Sequence, residues 1–577
     1  MAKWLVANKR ADFQTIAQQY GISPVLARLI RNRGITDENG IAEYLHGDMR
    51  TLRDPFLLTD MEKAADIVSE TIRRGGKIRI VGDYDVDGIC SAHILRTAFA
   101  TLGADADAVL PDRVKDGYGM NVRIVEEAQR DGRDTLVTCD NGIAAMEAVT
   151  RAKELGMTVV VTDHHEVPFE MGTDGERRLI LPPADAVVDP QRDSGEEAEK
   201  DQVICGAVVA FKLAQAVFAR MGQSFSQTQE ELLPMCALAT VCDVMPLSGQ
   251  NRVIVREGLA RMQSCENTGL RALLQVTGLA GAQITCFHAG FVLGPCLNAS
   301  GRLTSAQMAL SLFGEKDESR ALQAAQELKD LNDSRKSMTQ RGVEQAVLEI
   351  PRQCPEGGAD RILVLVLEDV HESIAGIIAG KIRERTGRPS FVLTRTGEGL
   401  LKGSGRSTEN YDMYEGMSAC GDLLVKFGGH KMAGGLTMRP ENLEEFRRRI
   451  NELCPLPAEE LADAVHIDME LPPSLLTMDT VRSFSLLEPC GKGNPEPLFV
   501  TRDLILYSRR VMGKNRNVIR FTGKDQNGAA ADFIWFGDEE TCPVREVPAK
   551  CAAVYSADIN EWNGRSSLQY VLKDFRF

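Results

Sequence analysis

Lys77-Ile78-Arg79-Ile80-Val81-Gly82-Asp83-Tyr84-Asp85-Val86-Asp87-Gly88 joins a strand-like run to a glycine-bearing turn that carries three aspartates within five residues. Carboxylates this close repel one another and raise each other's pKa. A divalent cation relieves that repulsion, and hard cations such as magnesium and manganese prefer oxygen ligands. A solvated acidic turn or a calcium loop would explain the same residues, so this turn alone does not decide between them.

Outward from this turn, residues 60–250 alternate β-branched runs with helical stretches. Ile78–Val81, Ala108–Leu110, Thr135–Thr138 and Thr158–Thr162 read as strands; Arg123–Arg130 and Ala144–Leu155 read as helices. Such alternation predicts a parallel sheet covered by helices, with ligand sites at the carboxyl ends of the strands. Three further motifs fall at such ends or at a helix end. Asp140 lies in Thr138-Cys139-Asp140-Asn141-Gly142, Asp163-His164-His165 closes the run Val159–Thr162, and Asp243 follows the apolar helical run Leu232–Val241. Singly, each has an ordinary explanation as turn or cap chemistry. Together, Asp83, Asp85, Asp87, Asp140, His164, His165 and Asp243 suit a pair of manganese or magnesium ions, the arrangement that clamps both oxygens of a phosphoryl displacement. No Walker A lysine motif accompanies them.

The length of 577 residues suggests roughly three or four domains. An apolar fraction of 43% is enough for buried cores. Fourteen cysteines without a CxxC pair read as reduced thiols of a cytoplasmic protein. No signal peptide and no membrane span are expected. The net charge of −15 excludes a protein coated in basic surface, though not a local basic groove. The expected organisation is a helical segment over 1–55, a catalytic α/β domain over 56–250, a helical connector over 251–350 with one long helix from Lys316 to Ile350, a smaller α/β unit over 351–455, and a β-barrel over 456–577.

These four motifs in this order resemble the DHH phosphoesterase family, whose namesake would be Asp163-His164-His165. Later stretches resemble its single-stranded-DNA exonuclease members: Leu297–Leu303, Leu331–Arg335, Gly403-Ser404-Gly405-Arg406-Ser407, Gly428-Gly429-His430-Lys431, and Leu487–Pro497. The resemblance implies a parallel-sheet DHH domain joined by a long helix to a smaller DHHA1-like α/β domain, followed by an OB-like barrel. It implies a 5′→3′ exonuclease that releases mononucleotides, uses manganese or magnesium, and works in DNA repair and recombination. Asp83, Asp85, Asp87, Asp140, His164 and Asp243 would be the metal ligands, with His165 on the scissile phosphate. Many members carry a histidine aligned with Val81, which cannot bind a metal, so the division of labour among the three turn aspartates stays open.

For the substrate, the glycine-rich loops Gly403–Ser407 and Gly428–His430 offer Ser404, Arg406, Gly428, Gly429 and His430 to phosphates, joined by Arg302. Arg113 and Tyr118 could meet a phosphate and stack a base, or belong to an ordinary polar loop. In the tail, Tyr507, Arg509, Arg510, Lys514 and Arg516 form a basic stretch, and Trp535 and Trp562 are candidate stacking rings, with a core role favoured. The expected partner is single-stranded DNA, with a single-strand-binding protein or a helicase as candidate protein partners. Competing readings are a phosphodiesterase of small nucleotides and a non-catalytic nucleic-acid-binding module.

Overall fold

The computed structural model describes residues 3–113, 115–172, 175–195, 203–353, 360–513, 516–537, 539, 542–562 and 564–577. Five short strands form the first sheet: β1 (Lys77–Val81), β2 (Asp105–Val109), β3 (Thr135–Thr138), β4 (Thr158–Thr162) and β5 (Ala186–Val188). All pair in parallel, in the order β2-β1-β3-β4-β5. Alternate residues of these runs enter separate cores on the two faces. Ile78, Ile80, Val137 and Val160 lie on one side, and Val81, Leu136, Val159 and Val161 on the other. That two-sided burial is why β1, β3 and β4 read as near-continuous β-branched runs, while the edge strand β2, Asp105-Ala106-Asp107-Ala108-Val109, does not and extends before the Ala108–Leu110 expected. The strand order reverses between β1 and β3, which opens a crevice at their carboxyl ends.

Helix α1 (Val86–Thr101) starts inside the acidic turn and is buried along most of its length, packed by α2 (Gly206–Met221) and α3 (Ser226–Cys242). The core under these helices continues past residue 250. Ile254, Leu273, Leu297 and Leu310 belong to it, and so do Ala325 and Leu328 on the long helix. Much of the stretch expected as a connector is therefore packed into the catalytic domain, including α4 (Gly294–Leu303). Only the later turns of α5 (Glu318–Gln353) leave it, and there Val343 and Ala346 join the core of the second α/β unit.

That unit contains β6 (Leu363–Val366), α6 (Glu372–Thr386), β7 (Ser390–Arg395), β8 (Leu401–Arg406), β9 (Leu424–His430) and β10 (Ala433–Met438), in the sheet order β9-β10-β8-β7-β6. The glycine-rich stretches Gly403–Ser407 and Gly428–His430, expected as flexible loops, are instead mostly strand, running into β8 and β9. Their glycines answer to packing: a Cβ on Gly405 would fall 2.5 Å from the Phe391 ring. Cys354-Pro355-Glu356-Gly357-Gly358, a stretch whose composition predicts a turn, lies outside the described residues.

The tail closes into a barrel of β11 (Met469–Glu470), β12 (Phe499–Met512), β13 (Val518–Lys524), β14 (Ala530–Phe536), β15 (Ala549–Trp562) and β16 (Arg565–Arg576), sealed by the β12–β15 pairing. Three N-terminal helices, Phe13–Tyr20, Pro24–Asn32 and Glu38–His46, pack on this barrel rather than standing apart. Leu26, Leu29, Ile30, Ile41 and Leu45 share one core with Leu487, Phe499, Phe521 and Tyr555. Trp4–Val6 pairs in parallel with Val465–Ile467. Among the described residues no helix is long and apolar enough to cross a membrane.

Candidate metal centre and nucleic-acid interface

The crevice at the β1/β3 switch point gathers all seven residues of the expected metal site. Asp85 caps α1, its carboxylate accepting from the backbone N–H of Asp87 at 2.9 Å and of Gly88 at 3.2 Å. Asp87 faces the start of α2, where the N–H groups of Gly206 and Ala207 donate to it at 2.7 and 2.8 Å. That approach requires glycine, since a Cβ on residue 206 would lie 2.6 Å from the Asp140 Cβ. Asp140 itself adopts a left-handed backbone, φ 60°, the kind of uncommon conformation found at functional sites. Asn141 anchors the turn, donating to the carbonyls of Val81 and Cys139 at 2.9 Å each and accepting from Met120 N–H at 3.0 Å.

His164 Nε2 lies 3.1 Å from Asp140 Oδ1, 3.5 Å from Asp87 Oδ2 and 3.8 Å from Asp243 Oδ2. Three sets of possible ligands, Asp83/Asp85/Asp140, Asp87/His164/Asp243 and Asp140/His164/His165, each bring their ligand atoms within 4.8 Å of one another. Burial, then neighbouring carboxylates, pushes the pKa of Asp83, Asp85 and Asp140 up, and that of Asp243 to about 8. Among the described residues, Asp243 Oδ2 is buried without a hydrogen-bond partner. Burial also lowers the pKa of His164, which favours the neutral imidazole that ligates metals. Crowded, desolvated acids beside a neutral imidazole suit hard divalent ions.

His165 behaves differently. Burial pulls its pKa down, but the 2.7 Å hydrogen bond from Nδ1 to Asp163 Oδ1 and the charge of that carboxylate outweigh burial and bring it to about 9. Asp163 is fixed in turn by N–H donation from Ile143 at 3.0 Å and from His164 at 2.8 Å. The Tyr118 hydroxyl donates to the Asp140 carbonyl at 2.9 Å and lies 3.0 Å from His165 Nδ1, which pins the phenol beside the site while half of the residue stays exposed.

Beside the acidic turn, arginines crowd together. Arg302 is pushed down to about 10, by burial first and then by Arg113, Arg335 and Arg406; Asp85 counters them. Its Nη1 donates to the Ser373 carbonyl of α6 at 2.6 Å, bridging the two α/β units. Arg113 lies over the Tyr84 ring at 4.5 Å. Mutually repelling guanidiniums gain by sharing an anion, so this cluster is a candidate phosphate pocket. Arg406 also opens a grid on the second sheet, where Arg406–Ala433–His430, Ser404–Gly435–Gly428 and Lys402–Thr437–Lys426 align across β8, β10 and β9 on one face. Among the described residues nothing lies within 4 Å of a Cβ placed on Gly428, so the middle row is an open, flat floor between basic rows. Gly429 points to the opposite face.

On the barrel, Tyr507 is exposed with Lys524 above its ring, while Arg509 and Arg516 both pair with Glu539. Trp535 packs against the barrel core, its ring centroid 5.6 Å from that of Phe575. Lys514 and the Trp562 side chain lie outside the described residues. Sequence reasoning passed over Asn141, Asp163, Gly206 and Arg335 as functional groups. The first two stand inside quoted motifs, where their polarity was a usable signal. The α2 start at Gly206 gave none, because its role depends on the distant Asp87.

Family models match in three places: the DHH family N-terminal domain over residues 77–240, the DHHA1 domain over 359–455, and the RecJ OB domain over 467–574. The single-stranded-DNA-specific exonuclease RecJ of Escherichia coli strain K12 is 33% identical over 99% of both chains. The Bacillus subtilis RecJ is 31% identical over 99% of this chain and 70% of its own length. The crystal structure of RecJ in complex with Mn2+ from Thermus thermophilus superposes with a TM-score of 0.81 at 27% identity, over all of this chain and 79% of that one. The Mg2+ complex from the same organism gives a TM-score of 0.76 at 26% identity, over 100% of this chain and 78% of that one. With the metal-ligand crevice, the arginine pocket and three matched domains in one chain, this protein belongs to the RecJ family of single-stranded-DNA-specific exonucleases.

Proposed function

We propose that this enzyme hydrolyses single-stranded DNA from its 5′ end and releases 5′-mononucleotides, in the cytoplasm, in DNA repair and recombination. The observation that carries this reading is the convergence of Asp83, Asp85, Asp87, Asp140, His164 and Asp243 around one crevice beside an arginine pocket. In this reading those six residues hold two manganese or magnesium ions. A bound pair of such ions lowers the pKa of water and polarises the scissile phosphate.

The chain's own groups do the rest. Asp163 orients His165 and keeps its imidazolium charged at neutral pH, a cation facing the phosphate being cleaved. Arg113, Arg302, Ser404 and Arg406 hold the terminal 5′-phosphate, which presents the first phosphodiester to the crevice and sets polarity. The open floor of the second sheet, with Gly428 and His430 along its edge strand, passes the backbone, and the barrel grips the strand further along by charge and stacking. A single-strand-binding protein or a helicase is the protein partner such a grip would serve.

Digestion of single strands labelled at either end, with manganese, magnesium or chelator, tests this. Label release from the 5′ end first, lost with chelator and in Asp140→Ala, is the expected result. Equal digestion by Asp140→Ala, or release from the 3′ end first, would overturn it.

A further inference from the structure

Phe287 and Phe291 are 63% and 69% exposed, and their rings lie against each other, 5.3 Å between centroids and 23° between planes. They occupy successive turns where the short helix Cys286–His288 runs into a π-helical turn, Ala289–Leu293. Such wide turns recur at functional sites. This one is locked to the metal centre. A Cβ on Gly290 would touch Val241 Cγ1 at 3.5 Å, and one on Gly294 would collide with the Cys242 sulfur. Val241 and Cys242 lead directly into Asp243, and Val244 beyond it is 57% exposed. On the other side, Cys286 lies within electrostatic range of Cys490 and Glu488 of the segment entering the barrel. That segment is tied to the residues after Asp243, since Leu247 N–H donates to the Lys492 carbonyl at 2.7 Å. The stacked rings therefore share their supports with the metal centre and with the segment that enters the barrel.

We propose that Phe287 and Phe291 form a stacking platform for nucleobases of the single strand between the barrel and the metal centre. This rests on the exonuclease reading above. Continuity with the metal centre on one side and the barrel on the other favours the strand over a second copy or a protein partner. Apolar ring faces suit bases rather than phosphates, and stacking of this kind is indifferent to sequence.

The test uses the full chain carrying Phe287→Ala and Phe291→Ala together. Affinity is measured with chelator present, for an oligothymidylate and for an abasic strand of equal length. Thermal unfolding should stay within about 2 °C of wild type, because the rings are exposed. The variant should bind the oligothymidylate roughly tenfold more weakly, in the range that base–aromatic stacking supplies, and the abasic strand as wild type does. Phe287→Trp with Phe291→Trp should restore binding. Equal loss on both strands, or no loss on either, overturns the platform; the second result would leave the rings to a protein partner. Wild-type digestion with manganese is the control: if wild type does not digest single strands, the exonuclease reading itself fails, and the platform with it.

Discussion

At His165 burial and a carboxylate pull in opposite directions, and the carboxylate wins because the partner at the end of its 2.7 Å hydrogen bond, Asp163, is fully buried while the imidazole stays partly exposed. Asp163→Asn should remove that advantage. The pH–rate profile should lose its basic limb near 9 and fall off earlier, with activity at neutral pH down about 10–100-fold, the usual cost of losing an orienting partner. Asp243 and Asp189 are both raised to about 8, chiefly by burial. A carboxyl whose folded pKa lies above its unfolded value binds its proton more tightly when folded, so its contribution is complete below about pH 4 and is lost as pH rises towards 8. Chelated protein should therefore melt at progressively lower temperature between about pH 5 and pH 8. Manganese should restore more stability at about pH 8 than at about pH 5, because ligation requires the deprotonated form; calorimetry across that range checks both. Arg406→Ala should cost about 1.5–3 kcal/mol of affinity for a 5′-phosphorylated end and little for a 5′-hydroxyl end, read by binding competition.

Among the elements, the glycine-bearing strands of the second sheet separate structural from functional glycines. Gly405→Val should destabilise the protein by about 1–3 kcal/mol in denaturant unfolding, since its Cβ meets the Phe391 ring. Gly428→Val meets open space and should leave stability within about 0.5 kcal/mol while slowing digestion of single strands. Strands β1, β3 and β4 of the first sheet were legible in the sequence because two-sided burial demands unbroken β-branched runs, as in Thr158–Thr162, whereas β2 was read only at its end. β8 and β9 were not, because glycines carry no periodicity and their neighbours across the sheet are set by tertiary contact. The candidate metal ligands were readable for a related reason: they crowd the ends of strands and helices, and packing does not explain them. Asp189 went unnoticed since it follows a three-residue strand, β5, too short to signal itself. Arg335 belonged to a quoted motif, but its place beside Arg302 comes from the crossing of α4 and α5.

Over the whole molecule, the core shared by the N-terminal helices and the barrel makes residues distant in sequence one packing unit. Removing residues 1–47 should expose apolar surface and lower barrel stability by several kcal/mol, at roughly 1.5–3 kcal/mol for each large buried apolar side chain lost; dye binding and thermal unfolding of the truncated chain measure it. By the same packing, cutting away the barrel would strand Leu26, Leu29 and Ile30 in water, so point changes are a cleaner probe of its role than deletion. The pairing of Trp4–Val6 with Val465–Ile467 also has a temporal side. On the ribosome the first helices emerge hundreds of residues before the strands that shelter them, so they wait unprotected through most of translation. Stalled nascent chains ending near residue 455 should remain open to protease at those helices, and protection should arrive only with the final strands.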